Sequence, residues 1–274
     1  MTSKQIKFIF LLRIQIHNIL IKDYILYLLK AVNADKIHSP FVFDIYYNHL
    51  LKSKEYYAFN KINEIRLSLA MNASSISKSP FGAGKQYSNK RFKIAQLSEK
   101  STIKHKYGKV LFDLVNYFEA NRILEIGTCF GVSTLYLALP NSKAVVYALE
   151  GHQPYLDIAK ENATKAGANN INFILGDFEQ TLPPLLNQIT SLDFVFFDGN
   201  HQEDATLKYF ELCLSKKHEN SIFVFDDIYW SAGMKNAWKK IKKHPDVSIT
   251  LDLFQLGIVF FRKGIVKQDF VLKY

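Results

Sequence analysis

From Arg122 onward the chain alternates between short apolar runs and helix-length amphipathic segments. Few folds accept that pattern. The runs are Arg122–Gly127, Ala144–Glu150, Ile171–Asp177, Leu192–Asp198 and Ser221–Asp227. Each is β-branched or aromatic and apolar almost throughout, as strands buried on both faces of a parallel sheet are. The spacers predict helices near 131–139, 152–167, 178–188, 202–217 and 233–243. Strand and helix in alternation make a doubly wound, Rossmann-like α/β sheet. Two last runs, Val247–Leu253 and Gly257–Lys263, lie three residues apart. No helical crossover fits that gap, so they predict an antiparallel hairpin. The expectation is a seven-stranded sheet ending in that hairpin.

Residues 1–118 read differently. Helical patterns at 5–30, 41–70 and 101–118 flank a stretch near 71–91 rich in Ser, Gly and Asn, which predicts a mobile loop. The division expected is a helical cap over 1–118 and a sheet domain over 119–274. Charge divides in nearly the same place. Residues 1–110 hold 19 basic and 6 acidic side chains, whereas 111–274 hold 16 and 19, within a net charge of +10. The 274 residues suffice for a full core. Two cysteines, Cys129 and Cys213, are too few for a disulfide framework or a zinc site and fit a reducing cytoplasm. The apolar stretch 6–29 is broken by Lys7, Arg13, Lys22 and Asp23, so no transmembrane segment is expected there. It reads as an amphipathic cap or homodimer helix, with weak attachment to a membrane surface as the other reading.

Four of the five parallel runs end on or just before an acidic residue: Glu150, Asp177, Asp198 and the pair Asp226–Asp227. Doubly wound sheets bind ligands outside the carboxyl ends of their strands, so these carboxylates mark a candidate site. Helix capping accounts for any one of them, though poorly for the set.

The segment Glu125-Ile-Gly127-Thr-Cys-Phe-Gly131-Val-Ser133 follows a strand and opens a helix. Its spacing is neither the GxGxxG of dinucleotide binding nor a phosphate loop. It resembles the first motif of class I S-adenosylmethionine-dependent methyltransferases, and the elements over about 120–263 follow that family's order. The resemblance implies S-adenosylmethionine held at Glu125, Gly127, Gly131, Ser133, Glu150, Gly176, Asp177 and Asp198. Glu150 would take the ribose hydroxyls, and Gly176-Asp177-Phe178 would meet the adenine.

Asp198, Asp226 and Asp227 close neighbouring strands, and carboxylates that converge repel one another unless protonated or bound to a cation. An all-oxygen set suits Mg²⁺. The segments Asp198-Gly-Asn-His201 and Phe225-Asp226-Asp227 resemble the metal site of the catechol O-methyltransferase-like and sugar O-methyltransferase enzymes. Those enzymes imply a small hydroxylated acceptor whose oxygen attacks a sulfonium methyl. The catechol enzymes carry a Lys where this chain has His201. That histidine is a candidate base beside Asp198, and a capping or supporting histidine is the plainer reading. Tyr229 and Trp230 are placed to wall an acceptor pocket, and Trp238 reads as core.

Phe81-Gly-Ala-Gly84-Lys85 looks like a phosphate loop, yet no strand precedes it and Gln86 replaces the Ser or Thr. A flexible lid or substrate loop is the expectation. His38-Ser39-Pro40-Phe41 reads as a helix start with Ser39 as cap. These two segments, with the DGNHQ loop and FDDIYWSAGM, resemble a bacterial branch of class I methyltransferases that brings no assigned acceptor. Two other functions stand beside the small-acceptor enzyme. One is an RNA methyltransferase using the lysines between Lys85 and Lys109 as a phosphate-binding face. The other is a non-catalytic binding module on the same fold. Metal-independent transfer is a further alternative.

Overall fold

The computed structural model describes residues 21–79, 81 and 90–274. Residues 1–20, and with them most of the expected helix 5–30, lie outside the described residues, as does the loop segment 82–89.

Residues 21–30 are helical (α1). Ser39 then caps α2 (Pro40–Phe43) by accepting the Val42 N–H at 3.4 Å, as the sequence suggested. The helix runs on as a π-type turn over Asp44–Leu51, breaks, and resumes as α3 (Tyr57–Met71). The polar stretch 71–91 read as a mobile loop instead contains a strand, β1 (Ser75–Ser77), which pairs antiparallel with β2 (Arg91–Lys93) at its end. Helices α4 (Ile94–Ser101) and α5 (His105–Tyr117) complete this half.

The main sheet begins with β3 (Arg122–Ile126). It continues through α6 (Val132–Ala138), β4 (Val145–Glu150), α7 (Gln153–Ala166), β5 (Ile171–Leu175), α8 (Phe178–Gln188), β6 (Phe194–Phe197), α9 (Glu203–Leu214), β7 (Ile222–Phe225) and α10 (Ala232–Lys243). The five strands run parallel in the order β7-β6-β3-β4-β5. β8 (Ile249–Asp252) and β9 (Gly257–Phe260) form the expected hairpin, and β9 lies antiparallel to β7. The sheet has eight strands rather than seven. The extra strand, β10 (Gln268–Val271), pairs parallel to β8 at the edge. It is four residues long and only partly buried, so it lacks the continuous apolar run that marks the central strands.

Alternate strand residues serve opposite faces, as a two-residue period requires. Ile123, Phe194, Phe196 and Val224 join one apolar cluster, and Leu124, Val195, Phe197 and Phe225 join the other. Val42, Ile45, Phe59 and Ile62 of the N-terminal helices belong to the first cluster, so they share a core with one sheet face. The far end of the chain locks to α1. The Tyr27 hydroxyl donates to the Leu272 carbonyl, and the Val32 N–H donates to Val271 O at 2.9 Å. Trp238 is buried, as expected, and its ring fills the space that a Cβ on Gly257 would need.

Candidate functional site

A parallel sheet delivers the residue after each strand to one edge. The order β7-β6-β3-β4-β5 therefore lines up Asp226, Asp198, Gly127, Glu150 and Gly176 in a row. Strand order reverses between β3 and β6, where such sheets open a crevice. There Gly127 has φ +100°, and a Cβ on it would lie 2.5 Å from the Asp198 carbonyl oxygen. Only glycine fits that approach. Gly131, also at positive φ, caps α6 against Ala159.

Glu125 is buried and receives hydroxyl bonds from Thr128 at 3.2 Å and Thr134 at 2.5 Å. Burial pushes its carboxyl up to about 7, against the lowering effect of bonds from Ser133, Thr134 and Thr128. Its Oε1 has no hydrogen-bond partner. Glu125 and Ser133, both expected at the cofactor, are buried at this turn. Glu150 is the last residue of β4 and is also buried. Its Oε2 accepts the Cys129 N–H and its Oε1 the His152 N–H, both at 2.8 Å. Burial raises its pKa, and those backbone donors oppose the rise. Asp177 caps α8 by accepting the Glu179 N–H at 2.9 Å, so here the capping role anticipated for single acidic residues is realised. Phe81 of the FGAG segment lies against Gly151, where a Cβ would meet its ring at 2.7 Å. Gly84 and Lys85 lie outside the described residues.

On the other side of the crevice Asp198, Asp226, Asp227 and His201 converge. His201 Nε2 stands 3.6 Å from Asp198 Oδ1 and 3.9 Å from Asp227 Oδ2. Burial lowers the pKa of the imidazole, and Asp227 partly offsets that. Burial, then Asp226 and Asp227, hold the Asp198 carboxyl well above its usual range. Burial and Asp227 raise Asp226 to about 7. One partner was not foreseen: Gln255 Nε2 donates to Asp226 Oδ1 at 2.9 Å and to Asp227 Oδ1 at 2.6 Å. No motif marks Gln255. The signal was the expected hairpin, whose three-residue link contains it. Cys129, Asn200, Asp227 and Phe254 all have positive φ around this edge, and such strain is concentrated at functional sites. Among the described residues no group of three or more His, Cys, Asp or Glu side chains is placed so that it could hold a metal ion. The oxygen donors are nevertheless of the type that hard divalent cations take.

Tyr229 stacks on Phe254, with centroids 4.9 Å apart, and half-exposed Trp230 follows it. Two of the lysines grouped as an RNA-binding face have neighbours within the chain. Lys109 pairs with Glu55 at 2.6 Å, and Lys106 lies 4.3 Å from the Tyr274 ring centre. No helix among the described residues is long and apolar enough to cross a membrane.

Residues 124–228 match a methyltransferase domain. The resemblance to class I S-adenosylmethionine-dependent methyltransferases of the catechol O-methyltransferase-like branch is borne out. The chain is 29% identical over 129 residues to the catechol O-methyltransferase of Mycobacterium tuberculosis, covering 46% of this chain and 57% of that protein. It spans about half the length of the curated relatives it matches. The fold is also that of the Bacillus cereus O-methyltransferase solved with S-adenosylhomocysteine (TM-score 0.55, 22% identity, 80% of this chain and 97% of that one). A Streptomyces achromogenes O-methyltransferase involved in tomaymycin synthesis, solved with S-adenosylmethionine, matches similarly (TM-score 0.55, 19% identity, 80% and 95%).

Proposed function

We propose that this methyltransferase fold transfers a methyl group from S-adenosylmethionine to the oxygen of a small hydroxylated acceptor. The observation that carries the reading is the split row of strand ends. Gly127, Glu150 and Gly176 offer a close backbone approach and a fixed carboxylate on one side of the crevice. Asp198, Asp226, Asp227 and His201 gather acid–base groups on the other. The first set suits a nucleoside bearing a positive sulfonium, and the second suits an oxygen nucleophile. Each Glu150 oxygen accepts one backbone N–H, which fixes the carboxylate, and retains a lone pair for a ribose hydroxyl.

Asp198, Asp226 and Asp227 would hold Mg²⁺, since buried carboxylates this close favour a cation among them. Bound Mg²⁺ would supply positive charge to an acceptor oxygen losing its proton. The rest falls to the chain. His201 Nε2 accepts that proton, its ring directed by the two carboxylates beside it. Tyr229 and Trp230 bound the acceptor side. Transfer then forms one O–C bond and breaks one C–S bond, and the sheet edge contributes mainly alignment. The two free cysteines, Cys129 and Cys213, support a reducing compartment such as the cytoplasm for this activity.

Labelled-methyl transfer to catechols and sugar hydroxyls tests the reading. Asp198→Ala and Asp227→Ala should each lower kcat/KM at least about 100-fold, and EDTA should abolish turnover. Full turnover by either variant in EDTA would remove the cation from the proposal.

A further inference from the structure

We propose that Gln255 is a positioning residue that clamps the Asp226–Asp227 pair and thereby sets the affinity of this edge for a divalent cation. Its single amide nitrogen carries two hydrogens, and both are spent on the pair, one toward Asp226 Oδ1 and one toward Asp227 Oδ1. Asp226 Oδ1 also accepts the Asp227 N–H at 2.9 Å, so that oxygen is fully engaged. The clamp therefore chooses which oxygen of each carboxylate is used up. Asp227 Oδ2 remains turned toward His201, and the Asp226 side chain still meets that of Asp198. A neutral donor between two carboxylates also lowers their mutual repulsion without adding a competing charge.

The aim of Gln255 is built into the hairpin tip. The register Phe225↔Gly257 brings the tip beside the residues that follow β7. The Leu253 N–H donates to Leu256 O and the Gln255 N–H to Leu253 O, both at 2.9 Å. Phe254 takes φ +69°, and its N–H donates to Asp252 Oδ1 at 2.9 Å. Its ring is packed by Tyr229, by Tyr24 at 4.9 Å and by Tyr27 at 5.3 Å. Two of those rings belong to α1, so the N-terminal half holds the turn from which Gln255 reaches the acidic pair.

Gln255→Met keeps the length and removes the donor. Mn²⁺ binding to the full chain, read by electron paramagnetic resonance, should weaken about 10–100-fold in this variant, the usual effect of removing a group that orients ligands. S-adenosylhomocysteine affinity should stay within about twofold. In EDTA the variant should melt lower than the parent, and that loss should disappear in a background carrying both Asp226→Ala and Asp227→Ala, because both clamped partners are then gone. Unchanged Mn²⁺ affinity overturns the proposal, and so does a melting loss that persists when Asp226 and Asp227 are both Ala. The inference rests on the carboxylate site proposed above, and the two fail differently. A parent chain that binds no Mn²⁺ removes the cation reading, while the EDTA comparison still decides whether Gln255 clamps the pair.

Discussion

One added methyl group at Gly127 would close the crevice. Its Cβ would fall 2.5 Å from a backbone oxygen at a φ of +100°, so neither neighbour nor backbone can yield cheaply. Gly127→Ala should cost about 1–3 kcal/mol of stability and at least tenfold in S-adenosylhomocysteine affinity, read by melting and titration calorimetry. A second residue gives a prediction far from the site. Asp113 is buried on α5 and its Oδ2 lacks a partner. Burial raises its carboxyl to about 6, against the lowering effects of Ser53 and Lys109. An acid held above its unfolded value folds preferentially as the neutral form. Its penalty is absent below about pH 4, grows as the unfolded chain ionises, and levels off above about pH 6. Asp113→Asn should therefore exceed the parent in stability by about 1–2 kcal/mol at pH 7, after allowance for solvent screening, with the gap narrowing toward pH 4. Urea unfolding at both pH values measures this, and a gap independent of pH would contradict it.

Among the elements, β10 and α1 depend on each other. The Val32 N–H donates to Val271 O, the Lys273 N–H to Val32 O, and the Tyr27 hydroxyl to Leu272 O. Truncation after Gly264 should leave β8 as an edge strand and release α1. Hydrogen exchange should then show the amides of 27–32 losing protection while β3 and β4 keep theirs. Of the two, β10 was the less legible in the sequence, since α1 lies within the helical pattern read at 5–30. The central strands announce themselves because both of their faces are buried, so Leu192–Asp198 and Ser221–Asp227 read as continuous apolar runs. An edge strand has one solvent side and no such run. Its partner Ile249 precedes it by 19 residues, and no turn signal links the two. The β1–β2 ribbon hides for a related reason, being short and rich in Ser and Lys. The site divides in the same way. Gly127 and Asp198 could be read because they follow strands in a motif. Gln255 could not, because its role follows from register: pairing Phe225 with Gly257 is what carries the hairpin link to the acidic pair.

At the scale of the whole molecule, the uneven charge of the chain maps onto the architecture. The sheet half carries the carboxylates of the row, and the basic half packs its apolar residues onto one sheet face. Tyr24 and Tyr27 reach the hairpin tip from that half, so the N-terminal helices support the tip beside the acidic pair as well as the core. The central claim is that the row from Gly127 to Gly176 holds an S-adenosyl nucleoside. Isothermal titration of the full chain with S-adenosylhomocysteine tests it most directly. One site per chain is predicted, with affinity falling at least tenfold in Glu150→Ala, titrated well below the melting temperature of that variant, which loses the acceptor of two backbone N–H groups. No heat of binding, with or without Mg²⁺, would contradict it.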